Sequence, residues 1–191
     1  EFDFSHDGKE GWSFVSEEDS KLPDILKYPG MRQHFKEIAY AISFEKDECV
    51  LNPVLYRNVY KGALGETAGK FILEDVIPTL RIAPLENVKH FEKFDFMLPD
   101  YEGVYIDFKN WNENTMDKNR DEELDHIQKK MFTIGASLVF IINITTKDIA
   151  KYHVQEFSGK GIIVIPELID SNGQLVKESI DKIVSTLQKY K

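Results

Sequence analysis

The sequence predicts an α/β fold, a mixed central sheet flanked by helices. Three observations predict it. Ser137–Ile144 and Gly161–Pro166 are near-continuous apolar runs, the pattern of strands covered on both faces. Val104–Lys109 alternates apolar and polar residues at the two-residue strand period. Between and beside these segments lie stretches with apolar residues at helical spacing, an order that suits helices packed on a sheet.

Taken along the chain, residues 1–30 read as irregular. Gly8, Gly11, Pro23, Pro29 and Gly30 interrupt an acidic stretch whose Phe2, Phe4, Trp12 and Phe14 suggest docking on a core. Phe35, Ile38, Ala39 and Ile42 predict a helix over 31–44. Asn52-Pro53 resembles an N-cap with proline at the first helical position, starting a second helix that runs to about Val76 and stops before Pro78. Strands are expected over 79–83, 88–98 and 104–111, with Pro99, Asp100 and Gly103 providing turn chemistry. A polar-rich helix follows over 117–135, with Leu124, Ile127, Met131 and Ile134 on one face. After the apolar strand at 137–144 come a short helix over 146–156, a strand at 161–166 and an amphipathic helix at 179–189. The chain divides into an acidic amino-terminal extension, 1–50, with one helix packed on the core, and an α/β domain, 51–191.

Composition narrows the function classes. With 191 residues and 42% hydrophobic content, the chain has enough apolar material for a real core, which excludes wholesale disorder. No apolar run is long enough to cross a bilayer, and no charged-then-apolar leader opens the sequence, so no membrane and a cytoplasmic location are the expectation. The absence of an initial methionine points to a piece of a longer protein. The single cysteine, Cys49, rules out an internal disulfide, and the five histidines show no HxH or HExxH spacing that would favour zinc. The net charge of −9 divides as −6 over residues 1–50, −2 over 51–110 and −1 over 111–191. There is no broad basic footprint for nucleic acid, so any polyanion must be gripped locally, through a metal ion or with help from a partner.

The chemistry concentrates in Val104-Tyr105-Ile106-Asp107-Phe108-Lys109. Alternation puts Tyr105, Asp107 and Lys109 on one face and Val104, Ile106 and Phe108 on the other. The preceding segment repeats the pattern, with Phe94, Phe96 and Leu98 on one face and Lys93 and Asp95 on the other. A tight hairpin around Pro99–Gly103 sets Asp95 beside Asp107. Two adjacent carboxylates repel unless a proton or cation lies between them, and hard oxygen donors of this kind suit Mg²⁺ or Mn²⁺. A third carboxylate is offered by the 53–76 helix, where Gly62, Glu66 and Gly69 share a face. Glycines in a helix interior cost about 1 kcal/mol each relative to alanine, so a close approach of the backbone to a sheet or a phosphodiester is the expected compensation.

Asp95, followed after a turn by Asp107-Phe108-Lys109, resembles the signature of the PD-(D/E)xK nuclease superfamily, which includes many restriction endonucleases and Holliday-junction resolvases. Glu66 is similar to the acidic residue many members contribute from the first core helix, and the resemblance spans about residues 53–145. Phe94 stands where the motif's proline would be, and Asp107 where glutamate is more usual. The resemblance implies a restriction-endonuclease-like core and a metal-dependent nuclease that hydrolyses DNA phosphodiester bonds. Glu66, Asp95, Asp107 and the Phe108 carbonyl would hold Mg²⁺ or Mn²⁺, and Lys109 would orient or help to deprotonate the attacking water. Gln128 and Lys129, on the following helix, stand where some members contact substrate. A fused or associated helicase-like domain is the implied partner, supplying positive charge that this chain lacks. The alternative is a catalytically silent module that keeps the fold to bind nucleic acid or protein. Asp107 and Lys109 would then be an ordinary exposed ion pair worth well under 1 kcal/mol.

Two further motifs are dismissed. Gly65–Lys70 (GETAGK) has three residues between its glycines where a phosphate-binding loop has four, and Phe71 replaces the Mg²⁺-holding hydroxyl. No GxSxG or Cys–His arrangement supports acyl transfer.

Overall fold

The computed structural model describes residues 2–3, 13–15, 22–38, 41–45, 48–51, 60–85, 94–109, 120–145, 153–157 and 159–190. In chain order its elements are β1 (Phe2–Asp3), β2 (Ser13–Val15), α1 (Leu22–Ile25), α2 (Met31–Glu37), β3 (Ala41–Glu45), β4 (Glu48–Leu51), α3 (Tyr60–Val76), β5 (Ala83–Pro84), β6 (Phe96–Met97), β7 (Val104–Lys109), α4 (Arg120–Ile134), β8 (Leu138–Asn143), β9 (His153–Phe157), β10 (Lys160–Ile165) and α5 (Lys177–Leu187). Among the described residues ten strands form two sheets: a small antiparallel one, β1-β2-β4-β3, and a mixed one, β5-β6-β7-β8-β10-β9.

In the mixed sheet β5, β6 and β7 are antiparallel neighbours, β7, β8 and β10 run parallel, and β9 closes the far edge antiparallel to β10. Both faces are covered, which is why β8 and β10 are apolar on both sides. One face, with Val104, Ile106, Phe108, Phe140, Ile142 and Ile165, packs against Ala68, Ile72 and Leu73 of α3, Ile183 and Leu187 of α5, and Ile25, Met31 and Phe35 from the amino-terminal region. The other face, with Val139, Ile141, Ile162 and Val164, packs against Leu124, Ile127 and Met131 of α4. The expected α/β architecture, a mixed sheet between helical layers, is therefore what the chain adopts.

The turn between β6 and β7 depends on Gly103. Its φ is +71°, and an added Cβ would lie 2.9 Å from Ser137 Oγ and 3.2 Å from the Ser137 nitrogen. That nitrogen donates to the Gly103 carbonyl at 2.8 Å, joining the hairpin to the start of β8.

Several elements differ from expectation. The helix expected over 31–44 stops at Glu37, and 41–45 is strand β3. Ile42 and Phe44 fit a two-residue period as well as a helical one, and pairing with β4 decides between them. Of the short helix expected over 146–156, residues 146–152 lie outside the described residues, and from His153 onward the chain is a strand that pairs antiparallel with β10. Residues 1–30, read as irregular, contain β1, β2 and α1. The strand expected over 79–83 is the short pair 83–84, and of the one expected over 88–98 the described part, from Phe94, holds the pair 96–97; residues 88–93, the expected helix start at 53 and the strand end at Trp111 lie outside the described residues.

Candidate metal centre at the open edge of β7

The site forms where β6 stops short. Phe96 pairs with Ile106 and Met97 with Tyr105, and continuing this register sets Asp95 opposite Asp107. The chain bends at Asp95 instead of extending the ladder. The Phe108 N–H, which a longer β6 would have bonded, donates to Asp95 Oδ2 at 2.6 Å. The bend also carries Phe94 to the opposite layer, 5.5 Å from the Tyr105 ring centroid, so Phe94 does not share a face with Phe96 and Leu98 as the alternation suggested.

Strand geometry adds a further donor. The N–H and C=O of one strand residue project to the same edge. On β7 the Val104 carbonyl accepts from Leu98 N at 3.0 Å, which sets the even-numbered residues toward the β6 edge. The Phe108 carbonyl therefore faces the same edge as Asp95.

Asp107 is 4% exposed, and its Oδ2 is shut off from solvent and takes no hydrogen bond among the described residues. The ammonium of Lys109, on the same strand face, stands 2.9 Å from that oxygen. Asp95 and Asp107 are close enough for one carboxyl to hydrogen-bond the other when protonated. Burial, then the charge of Asp107 and that of Glu66, push the Asp95 carboxyl up to about 8, while the Phe108 amide pulls the other way. Burial and the neighbouring negative charges favour the protonated form of Asp95, and a cation between the carboxylates would relieve the same repulsion.

Glu66 is half-buried on α3, one turn before Gly69. Burial raises its carboxyl above the ordinary glutamate value, the charge of Asp107 raises it further, and Lys109 lowers it. Gly69 explains how α3 comes so near. A Cβ there would run into the Phe108 ring and lie 2.9 Å from Ile144 Cδ1. Phe108 is itself fixed, 3% exposed and edge-on to Phe96 at 5.8 Å. The glycine face of the helix is thus spent on approach to β7, the strand that carries Asp107 and Lys109.

Four predicted residues are therefore brought into one electrostatic neighbourhood: Glu66, Asp95, Asp107 and Lys109. Within it the Lys109 ammonium stands 2.9 Å from Asp107 Oδ2, and Asp95 and Asp107 are coupled as neighbouring carboxyls. Among the described residues no three His, Cys, Asp or Glu side chains stand together in metal-ligating positions, and Glu66 reaches the pair through its charge, which acts on Asp95. Gln128 and Lys129 take no part in the contacts that define the cluster. Gln128 is half-buried beside the Leu124–Ile127–Met131 stripe of α4, and Lys129 is exposed.

The donor set fits a small hard cation. Mg²⁺ keeps several waters and is commonly held by one or two carboxylates, with substrate phosphates completing its shell. Two apposed carboxylates, one of them buried and ion-paired to Lys109, and a carbonyl on the same edge supply such a set.

The motif reading did not single out the end of β8. Asn143 is 1% exposed, in register with Lys109, and its Nδ2 donates to the Thr145 carbonyl at 3.2 Å. Thr145 Oγ1 is the other buried side-chain atom without a hydrogen bond among the described residues. The signal in the sequence is Asn143 itself, a polar residue ending an otherwise apolar run. Among the described residues no helix is long and apolar enough to cross a membrane. No family model matches the sequence, and no curated protein matches it.

Proposed function

We propose that this chain is a Mg²⁺-dependent nuclease domain with a restriction-endonuclease-like core of the PD-(D/E)xK type, hydrolysing DNA phosphodiester bonds. The observation that carries the reading is the apposition of Asp95 and Asp107 at a strand edge left unpaired among the described residues, with Lys109 beside them. The order of elements supports it: α3, the β5–β6–β7 meander, α4, and β8 parallel to β7.

In this reading Asp95, Asp107 and the Phe108 carbonyl hold the ion, and Glu66 acts on it from α3 through its charge or an intervening water. A bound Mg²⁺ supplies Lewis-acid stabilisation of charge developing on the phosphate. The Phe108 amide fixes the rotamer of Asp95, so the donor geometry does not have to be organised when substrate arrives. Lys109 orients the attacking water or helps to remove its proton. The open edge of β7 gives a phosphodiester access, because no strand covers residues 107–109 on that side among the described residues. A charge of −9 makes unaided capture of DNA weak, so a helicase-like or other DNA-engaging partner is the proposed source of positive charge.

The test is cleavage of supercoiled plasmid and of single-stranded DNA. Cleavage that needs Mg²⁺ or Mn²⁺ and disappears in Asp107→Asn supports the assignment. Folded wild-type protein that binds Mn²⁺ but leaves both substrates intact would favour the silent module.

A further inference from the structure

We infer that Lys109 is the resident cation of the metal-free site and must leave Asp107 Oδ2 for a divalent ion to bind there. The inference rests on the metal-dependent reading above and concerns how that site is loaded. Asp107 Oδ2 is closed to solvent and takes no hydrogen bond among the described residues, yet its side chain is nearly buried beside a second carboxylate. A buried carboxylate without compensation is costly, and the charge that compensates it is the Lys109 ammonium at 2.9 Å. The ammonium therefore occupies the approach to the oxygen that an incoming ion needs.

The lysine has somewhere to go. It is the last residue of β7, its side chain is 22% exposed, and its four-carbon stem can swing without moving the strand. Departure places the ammonium farther out on the same face, where an attacking water or a substrate phosphate would lie. Loading and arming are then one event: the ion takes the carboxylate and frees the amine. Asp95, held by the Phe108 amide, stays in place during the exchange.

Direct competition makes a distinctive prediction. Removing the ammonium, in Lys109→Met, tightens Mn²⁺ binding measured by calorimetry by about tenfold or more, although any role for the amine in cleavage is lost with it. Lys109→Arg, which keeps the charge, stays within a few-fold of wild type. An independent readout uses unaltered protein: reductive methylation of Lys109, followed by mass spectrometry, is slow without metal and faster with Mn²⁺, while exposed Lys129 labels equally in both. Equal Mn²⁺ affinity in wild type and Lys109→Met, or labelling of Lys109 that ignores Mn²⁺, overturns the exchange but leaves the metal site standing. If neither wild type nor Lys109→Met binds Mn²⁺, the metal-dependent reading itself falls.

Discussion

Gly69→Ala isolates the contact that brings α3 to the site. The added methyl enters space held by the Phe108 ring and lies 2.9 Å from Ile144 Cδ1. Neither neighbour can yield easily, since Phe108 is 3% exposed and Ile144 fully buried. Overpacking of this kind costs roughly 1–3 kcal/mol. Alanine regains about 1 kcal/mol of helix propensity over glycine. With atoms this close the overpacking cost lies in the upper part of that range, about 2–3 kcal/mol, so the net loss is roughly 1–2 kcal/mol, and at ~2–4 °C per kcal/mol for a chain of this size the melting temperature falls by roughly 2–8 °C. Differential scanning calorimetry at fixed pH reads it. Phe108→Leu in the same chain should recover part of the loss, because the smaller side chain makes room. A melting temperature that is unchanged or higher in Gly69→Ala would refute the close approach, because propensity alone predicts stabilisation.

The raised Asp95 carboxyl gives the metal-free protein a signed pH dependence: its folded value, about 8, lies above the ordinary 3.8, so the stability it contributes is complete below about pH 4 and is lost as pH rises towards 8. Raised Glu66 acts in the same direction. Chemical denaturation at pH 5 and pH 8.5 should show the loss, about 2 kcal/mol once solvent is allowed for, and Asp95→Asn should remove most of it; a flat wild-type profile would contradict the buried pair. Ile142→Ala, in the fully buried run of β8, should lower stability by roughly 2–5 kcal/mol in the same assay. Arg81→Ala, which removes an exposed ion pair with Asp100, should leave the melting temperature unchanged within error.

What the sequence made legible follows from how local each signal is. The two-face burial of β8 and β10 was readable because a strand covered on both sides must be apolar throughout. The β6–β7 register was readable because Pro99–Gly103 allows only a short connection, and that register is what sets Asp95 against Asp107. Glycines at Gly62 and Gly69 announced a close approach, and the structure identifies the partner at Gly69 as Phe108. What failed was decided by distant partners. Segments 41–45 and 153–157 have patterns that satisfy helix and strand alike, and only β4 and β10 settle them. Phe94 left its expected face because the chain bends at Asp95, which alternation cannot foresee. How near Glu66 comes to Asp95 and Asp107 depends on how deeply α3 sits on the sheet, which a spacing argument does not give.

The account rests on a cation binding between two carboxylates at the end of a truncated strand pair. Crystals soaked in Mn²⁺ and measured at the manganese absorption edge test it most directly. An anomalous peak is expected between Asp95 and Asp107, within coordination distance of both and absent in Asp107→Asn. A protein that stays folded in the soaked crystal with no peak at that edge, or with manganese bound elsewhere, would contradict it.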